Sequence, residues 1–477
     1  MTLHANIAAF DFTPEIHPQY GAWGTTPIMT EIDLPLQGRC LALREDDRTV
    51  VWFALDLCGN TVPETKELRA DVAGSLGLQT EHVIWSTSQT HSSPTLPGSN
   101  MPGGSSITIR GKFDEAYCAS QRRAFLDQCI SAARQAIDGL RPVSLHVGHG
   151  FCDTMSYNTR FPMPTGGVKF SRHHDEGRQS GKFYDPTIGL LVFVDDAGKT
   201  VGTIFNFCAH PATMINDKWI SSDWVGTARA MIEEAQHGAP AMFVQGFCGD
   251  VHCNHIFGTP DQARANGRKL GTAAVEALPT VIPVRATPFA LAFETVELNC
   301  RPMYTKKELV HLIAMRHAFR DGLGDDPTAT WFDGINAPEQ LTVEQKHLFV
   351  QVQIDYLEMA LAMVERGESA DPHLHFHLGA VRLGDVGALL AHGENFTATG
   401  QRVRLRSPFV HTLICGDTNG LFGYLGDDAE IDRGGFETNS FWKMPYFDGV
   451  RLAPAKGSAD RIVETGTTML WGLQRGS

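Results

Sequence analysis

Residues 201–254, VGTIFNFCAHPATMINDKWISSDWVGTARAMIEEAQHGAPAMFVQGFCGDVHCN, decide how the rest of the chain is read. The run Val201 to Ala209 is apolar and rich in β-formers, so it reads as a buried strand, and Pro211 stops it because proline has no N–H for a ladder. His210 therefore stands where the backbone leaves the sheet and a side chain can reach into a cleft. After a polar turn, Trp224 to Gln236 has helical composition, with Ser221, Ser222 and Asp223 before it as N-cap residues. A second buried strand, Ala241 to Val244, ends in Gln245-Gly-Phe-Cys-Gly-Asp-Val-His252. Both strands of this unit end in polar, metal-capable side chains.

The same pattern recurs outward in both directions. Toward the N-terminus, Cys40 to Leu43 and Val50 to Leu57 read as a hairpin turning over Arg44 to Arg48, and the second strand delivers Asp56. Val62 to Leu76 has helical spacing, and the short strand His82 to Ser86 runs into Thr87–Pro94, which places His91 just past a strand end and before a proline. Residues 97–112 are rich in Gly, Ser and Pro and read as a loop over a site. Glu115 to Leu140 reads as a helix and Pro142 to Gly150 as a strand; Tyr157-Asn158-Thr159-Arg160 then opens a polar segment carrying His173 and His174, both read as surface residues.

Toward the C-terminus, Asp261 to Leu278 is helical, Phe289 to Asn299 is a strand, and Lys306 to Glu368 reads as a helical insertion interrupted between Asp321 and Pro338. Leu374 to Leu383 and Val386 to Leu390 return to sheet and feed Ala391-His392-Gly393-Glu394; Pro408 to Cys415 opens into Gly416 to Tyr424. Four strands thus end in His91, His210, Glu394 and Tyr424. The expected fold is α/β, with mixed β-sheets flanked by helices, as one catalytic unit over residues 1–477 with a helical insertion at 305–368.

A formal charge of −14 over 477 residues argues against nucleic acid or an anionic membrane as the main partner, because phosphates need clustered Lys and Arg. Arg122-Arg123 and Arg402 to Arg406 read as solvated faces or local ion pairs. No apolar run approaches the roughly twenty residues of a bilayer span, so stable membrane insertion is not expected. The N-terminus lacks the charged start and apolar core of a secretory signal. Ten cysteines scattered as single residues suit reduced thiols in the cytoplasm rather than a disulfide framework.

Two histidines and a carboxylate delivered from separate strand ends match the ligands of a catalytic zinc site with a position left for water. Zinc there lowers the pKa of water to roughly 7 and polarises a carbonyl, with no side-chain nucleophile required. No His-Glu-x-x-His helix or Cys-x-x-Cys pair fixes the spacing, and a lone histidine beside a proline is more often a hydrogen-bonded structural residue. No Gly-x-Ser-x-Gly elbow is present. Gly249-Asp250-Val251-His252 resembles the Gly-Asp-x-His element of binuclear metallophosphoesterases, but Asp56 to Thr61 supplies neither that family's upstream Asp-x-His nor its Gly-Asn-His element.

At these residues the chain resembles the catalytic domain of the neutral, non-lysosomal ceramidases. Asp11-Phe12-Thr13-Pro14 is similar to that family's Asp-Ile-Thr-Pro, and Gln89-Thr90-His91-Ser92-Ser93-Pro94 to its Thr-His-Thr-His-Ser-x-Pro. Ala209-His210-Pro211-Ala212-Thr213-Met214 resembles Val-His-Pro-Thr-Ser-Met, and Ser222-Asp223-Trp224-Val225-Gly226 resembles Gly-Asp-Asn-Lys-Gly. Gly393-Glu394 with Gly400-Gln401-Arg402, and Asn419 to Tyr424, follow in the family's order.

The resemblance implies one zinc ion per chain, held by His91, His210, Glu394 and Tyr424, and attack of activated water on an amide carbonyl of a small-molecule substrate. Arg160, in an Asn-x-Arg context, is the implied oxyanion or substrate contact; His91 and Tyr424 count with it as catalytic groups. Asp223 and Asp250 are expected behind the ligands or as caps, and His252, Cys253 and His255 as loop residues rather than an accessory metal site. The family's serine in Gln-Ser-Asn is Gly246 here, its first histidine is Gln89, and a downstream tyrosine is Phe436. Those changes, with the expected lack of the family's immunoglobulin-like C-terminal domain and secretion signal, point to a cytoplasmic zinc-dependent hydrolase of a small soluble amide, ester or lactone. An N-acyl lipid amidase and a non-catalytic binding protein are the alternatives, and a homo-oligomer stays open.

Overall fold

The computed structural model describes residues 2–21, 28–94, 114–164, 166–215, 217–329, 341–439 and 449–476. Strands Gln37–Glu45 and Arg48–Leu55 pair antiparallel with Glu45 opposite Arg48. The turn is therefore only Asp46-Asp47, tighter than the five residues expected, because Arg44 and Glu45 continue the ladder and Asp46 takes a left-handed φ of 52°. Along this hairpin the two-residue period separates two buried faces. Leu41, Leu43, Trp52 and Ala54 point one way; Cys40, Ala42, Val51 and Phe53 point the other.

Those faces belong to a nine-stranded sheet. Its order is Ala241–Gln245, Thr200–Phe207, Thr187–Asp195, Arg141–Phe151, His4–Asp11, Gln37–Glu45, Arg48–Leu55 and Val83–Thr87, with Ile282–Val284 added beside Arg141–Phe151. A second sheet of four strands runs Phe289–Asn299, His373–Leu383, Val386–Ala391, His411–Cys415. The face carrying Leu41 and Trp52 packs on Val381, Leu383, Ala388 and Leu413 of the second sheet. The opposite face is covered by helices Val62–Leu76 and Glu115–Asp138 at one end, and by Asp223–Ala235 and Pro260–Ala277 at the other. Helix Ser458–Arg475 covers the outer side of the smaller sheet. The result is four layers, helix, sheet, sheet, helix, with mixed sheets as expected.

The expected helical insertion takes the form of two helices, Lys306–Gly322 and Val343–Glu365, each started by a Thr capping box. Leu309, Tyr356, Leu357 and Ala360 form a small core of their own. The interruption expected between Asp321 and Pro338 begins where the first helix ends at Gly322; residues 330–340 and the expected loop 97–112 lie outside the described residues. Among the described residues no helix is long and apolar enough to cross a membrane.

Three parallel strand pairs within the two large sheets are each joined by a crossover helix, as such pairing requires. Arg48–Leu55 leads through Val62–Leu76 to Val83–Thr87; Thr200–Phe207 leads through Asp223–Ala235 to Ala241–Gln245; Val386–Ala391 leads through Thr397–Arg406 to His411–Cys415. Single bridges join Ser86, near the end of Val83–Thr87, to Thr418, and His210 to His252, and so tie the carboxyl ends of these strands together. Carboxyl ends of such strands are where α/β folds place their ligands.

Candidate metal centre

The four strand-end side chains become neighbours through backbone bonds between their loops. His91 N–H donates to Pro211 O at 2.9 Å, which fixes the loop after Val83–Thr87 against the one after Thr200–Phe207. Gln245 clips both from below: its Nε2 donates to Ser88 O at 3.0 Å and to Ala209 O at 2.9 Å, while its Oε1 accepts from Gly246 N. Glu394 and Tyr424 sit opposite each other in a short parallel pair, with Glu394 N–H donating to Gly423 O at 2.9 Å. Gly393 is required there, because its φ is +78° and a Cβ would lie 2.7 Å from Gly423 O.

The rings of His91 and His210 are 5.7 Å apart by centroid, and those of His210 and Tyr424 are 6.4 Å apart. His210 Nε2 is 3.0 Å from Glu394 Oε2, and His210 Nδ1 is 3.0 Å from Val251 O. All four residues are buried. Neither ring nitrogen of His91 has a hydrogen-bond partner. Burial, and then His210, push the His91 imidazolium down to about 3, so the ring is neutral with a lone pair to give.

This donor set fits a zinc ion. Two donors of a tetrahedral ion with bonds of 2.0–2.1 Å stand about 3.3 Å apart, close to the separation of His210 Nε2 and Glu394 Oε2. A buried histidine with two unpartnered nitrogens is otherwise costly. The four side chains are neighbours rather than a closed cage: among the described residues no three His, Cys, Asp or Glu side chains are gathered round one point.

Set beside known structures, the chain overlays along its whole length on the neutral ceramidase of Pseudomonas aeruginosa, with TM-score 0.68, 18% identity and 75% of that chain covered. A ceramidase complexed with C2 gives TM-score 0.67, 16% identity and 76% of that chain covered. The fold is that of neutral ceramidase. No protein-family model and no curated protein matches the sequence.

Within this ceramidase fold, Arg160 sits elsewhere than expected. It is fully buried, with Nε and Nη1 each 2.5 Å from a carboxylate, of Glu430 and Glu437 respectively, and with Nη2 donating to the carbonyls of Gly434 at 2.6 Å and Glu430 at 3.2 Å. Its guanidinium also lies over the Phe396 ring. A guanidinium so committed holds the segment 430–437 in place and does not reach out to a substrate oxygen. That segment carries Phe436, whose ring lies 6.0 Å from Tyr424 and 6.1 Å from Phe170.

The two aspartates anchor the loops that carry the candidate ligands. Asp223 Oδ2 accepts from Thr213 N at 2.8 Å and Met214 N at 3.3 Å, and Trp224 Nε1 donates to His210 O, so the helix start holds the His210 loop. Asp250 accepts from Thr397 N and from Asn158 Nδ2, each at 2.7 Å. It thereby caps a helix whose own N-cap, Phe396, has no side-chain oxygen. Burial raises both carboxyls, Asp223 to about 6 and Asp250 to about 7, against the pull of these donors.

His252 stacks on His210 at 4.2 Å with the planes 2° apart, while Phe170 meets its edge. Sequence reading left it with the loop residues; only the bridge between residues 210 and 252 brings it here, and no spacing signals that. Its companions stay apart: Cys253 pairs with Thr213, and His255 with Gln262. His174 packs edge-on against Tyr157, and His173 is exposed. Asp417 lies buried by Glu394; burial and that carboxylate hold its own carboxyl well above the usual range.

Proposed function

We propose that the chain is a zinc-dependent hydrolase that cleaves an amide, or a related ester or lactone, in a small soluble substrate. The observation that carries this reading is the His210 ring, bonded through Nδ1 to Val251 O and facing Glu394 Oε2 through Nε2, beside a His91 with no other partner. His91, His210, Glu394 and Tyr424 would hold the ion. When bound, zinc would supply a water of pKa near 7 and polarise the substrate carbonyl.

The residues around it divide the remaining work. The Val251 carbonyl fixes the His210 tautomer so that Nε2 presents its lone pair inward. Asp223 and Trp224 hold the His210 loop, and Asp250 holds the turn after Glu394. Phe170, Phe436 and Tyr424 offer an aromatic wall for the apolar part of a substrate. Gly246 leaves no serine to act as nucleophile: a Cβ there would stand 2.9 Å from Cys208 Cβ. The changed polar groups at Gln89, Gly246 and Phe436 support a substrate other than ceramide. Ten free thiols, nine of them buried, suit a reducing compartment.

A panel of short N-acyl amides, aryl esters and lactones, run beside a long-chain N-acyl sphingoid base, tests this. Turnover of a short substrate that chelation abolishes and zinc restores is the expected result. Undiminished turnover by metal-free protein, or cleavage of the lipid alone, would overturn it.

A further inference from the structure

Strands Phe289–Asn299 and His373–Leu383 present a row of ligand-type side chains on the sheet, its His377 end meeting His392. The two-residue period of His373-Leu-His-Phe-His377 puts Leu374 and Phe376 into the core and all three imidazoles on the opposite face. Directly across, Glu297 is paired with His375 and Thr295 with His377. His375, His377 and Glu297 are exposed.

The detail points to a cation. Glu297 Oε1 is 3.6 Å from His373 Nδ1, too long for a hydrogen bond and near the ~3.3 Å between two donors of one four-coordinate ion. That Nδ1 is enclosed and has no hydrogen-bond partner. Thr295 Oγ1 lies 2.8 Å from His377 Nδ1, which orients the ring and leaves its Nε2 available.

We propose that His373, His375 and Glu297, flanked by His377, form a second, exposed site for a divalent transition-metal ion such as Zn2+ or Ni2+. Imidazole donors suit these ions over Mg2+ and Ca2+. The rings are spread along the strand rather than gathered round one point, and rotamer changes would have to close them. This site uses none of the four residues of the buried centre.

Calorimetric titration of metal-stripped full-length protein with Zn2+ tests it. The His210→Ala protein should still bind one Zn2+, and His375→Ala or Glu297→Gln added to it should weaken that step by at least about tenfold; Mg2+ should give no heat. In the His210-intact protein, His375→Ala should remove the weaker of two steps, so the test does not depend on how well His210→Ala folds. An isotherm that His375→Ala and Glu297→Gln leave unchanged in both backgrounds would overturn the proposal.

Discussion

His210 Nε2 and Glu394 Oε2, 184 residues apart in sequence, stand 3.0 Å from each other in the folded chain. The other nitrogen of the same ring is 3.0 Å from Val251 O. Both nitrogens therefore face oxygen acceptors, whereas a neutral imidazole carries one N–H. A proton or a metal cation between His210 and Glu394 resolves that conflict, and a cation also serves the unpartnered His91.

His91 separates a ligand from a packing residue. Because His91→Ala leaves no hydrogen-bond partner behind, urea unfolding of the chelator-treated protein should change by no more than about 1–2 kcal/mol. Bound zinc and turnover should nevertheless be lost. A His91→Ala protein that keeps its zinc would contradict the ligand role.

Arg160→Met tests whether the arginine positions a segment or touches substrate. Glu437 would lose its guanidinium partner while Glu430 keeps Lys182 and Arg433, and losing one partner of such a buried ion pair costs about 3–5 kcal/mol. The expected outcome is a large drop in the urea midpoint. A fall in kcat with stability unchanged would instead restore the substrate contact.

Asp250 makes stability depend on pH. Its folded pKa, raised by burial to about 7, lies above the ordinary carboxyl range, so the fold favours the protonated form. The contribution is fully present below about pH 4 and is lost as pH rises through about 7. Unfolding free energies of the native and Asp250→Asn proteins, measured at pH 5, 6.5 and 8, should differ by an amount that shifts against the native protein as pH rises. Parallel curves would show that the group does not titrate there.

Gly246→Ser asks whether a serine mechanism can be regained. The added side chain meets Cys208 Cβ at 2.9 Å and Cα at 3.0 Å, so overpacking should cost about 1–3 kcal/mol. Thermal unfolding should fall with no gain in turnover. Raised activity with retained stability would point to a different nucleophile.

Strand ends were legible in the sequence because prolines and period-two runs mark where a ladder must stop, and those ends are where His91 and His210 now sit. The layering was not: alternation shows that Leu41 and Trp52 are buried, but not that a second sheet covers them. Arg160 misled for a related reason. Its carboxylate partners lie 270 and 277 residues away, and an Asn-x-Arg context carries no trace of them. Gln245 and His252 act through pairing between loops, which local spacing does not encode.

The most direct test is metal analysis of the His375→Ala protein, in which the exposed strand site is disabled. After exhaustive dialysis, about one zinc per chain should remain, and it should disappear when His210→Ala or Glu394→Gln is added. Zinc retained at the same level in those double variants would contradict a buried centre built from His91, His210, Glu394 and Tyr424.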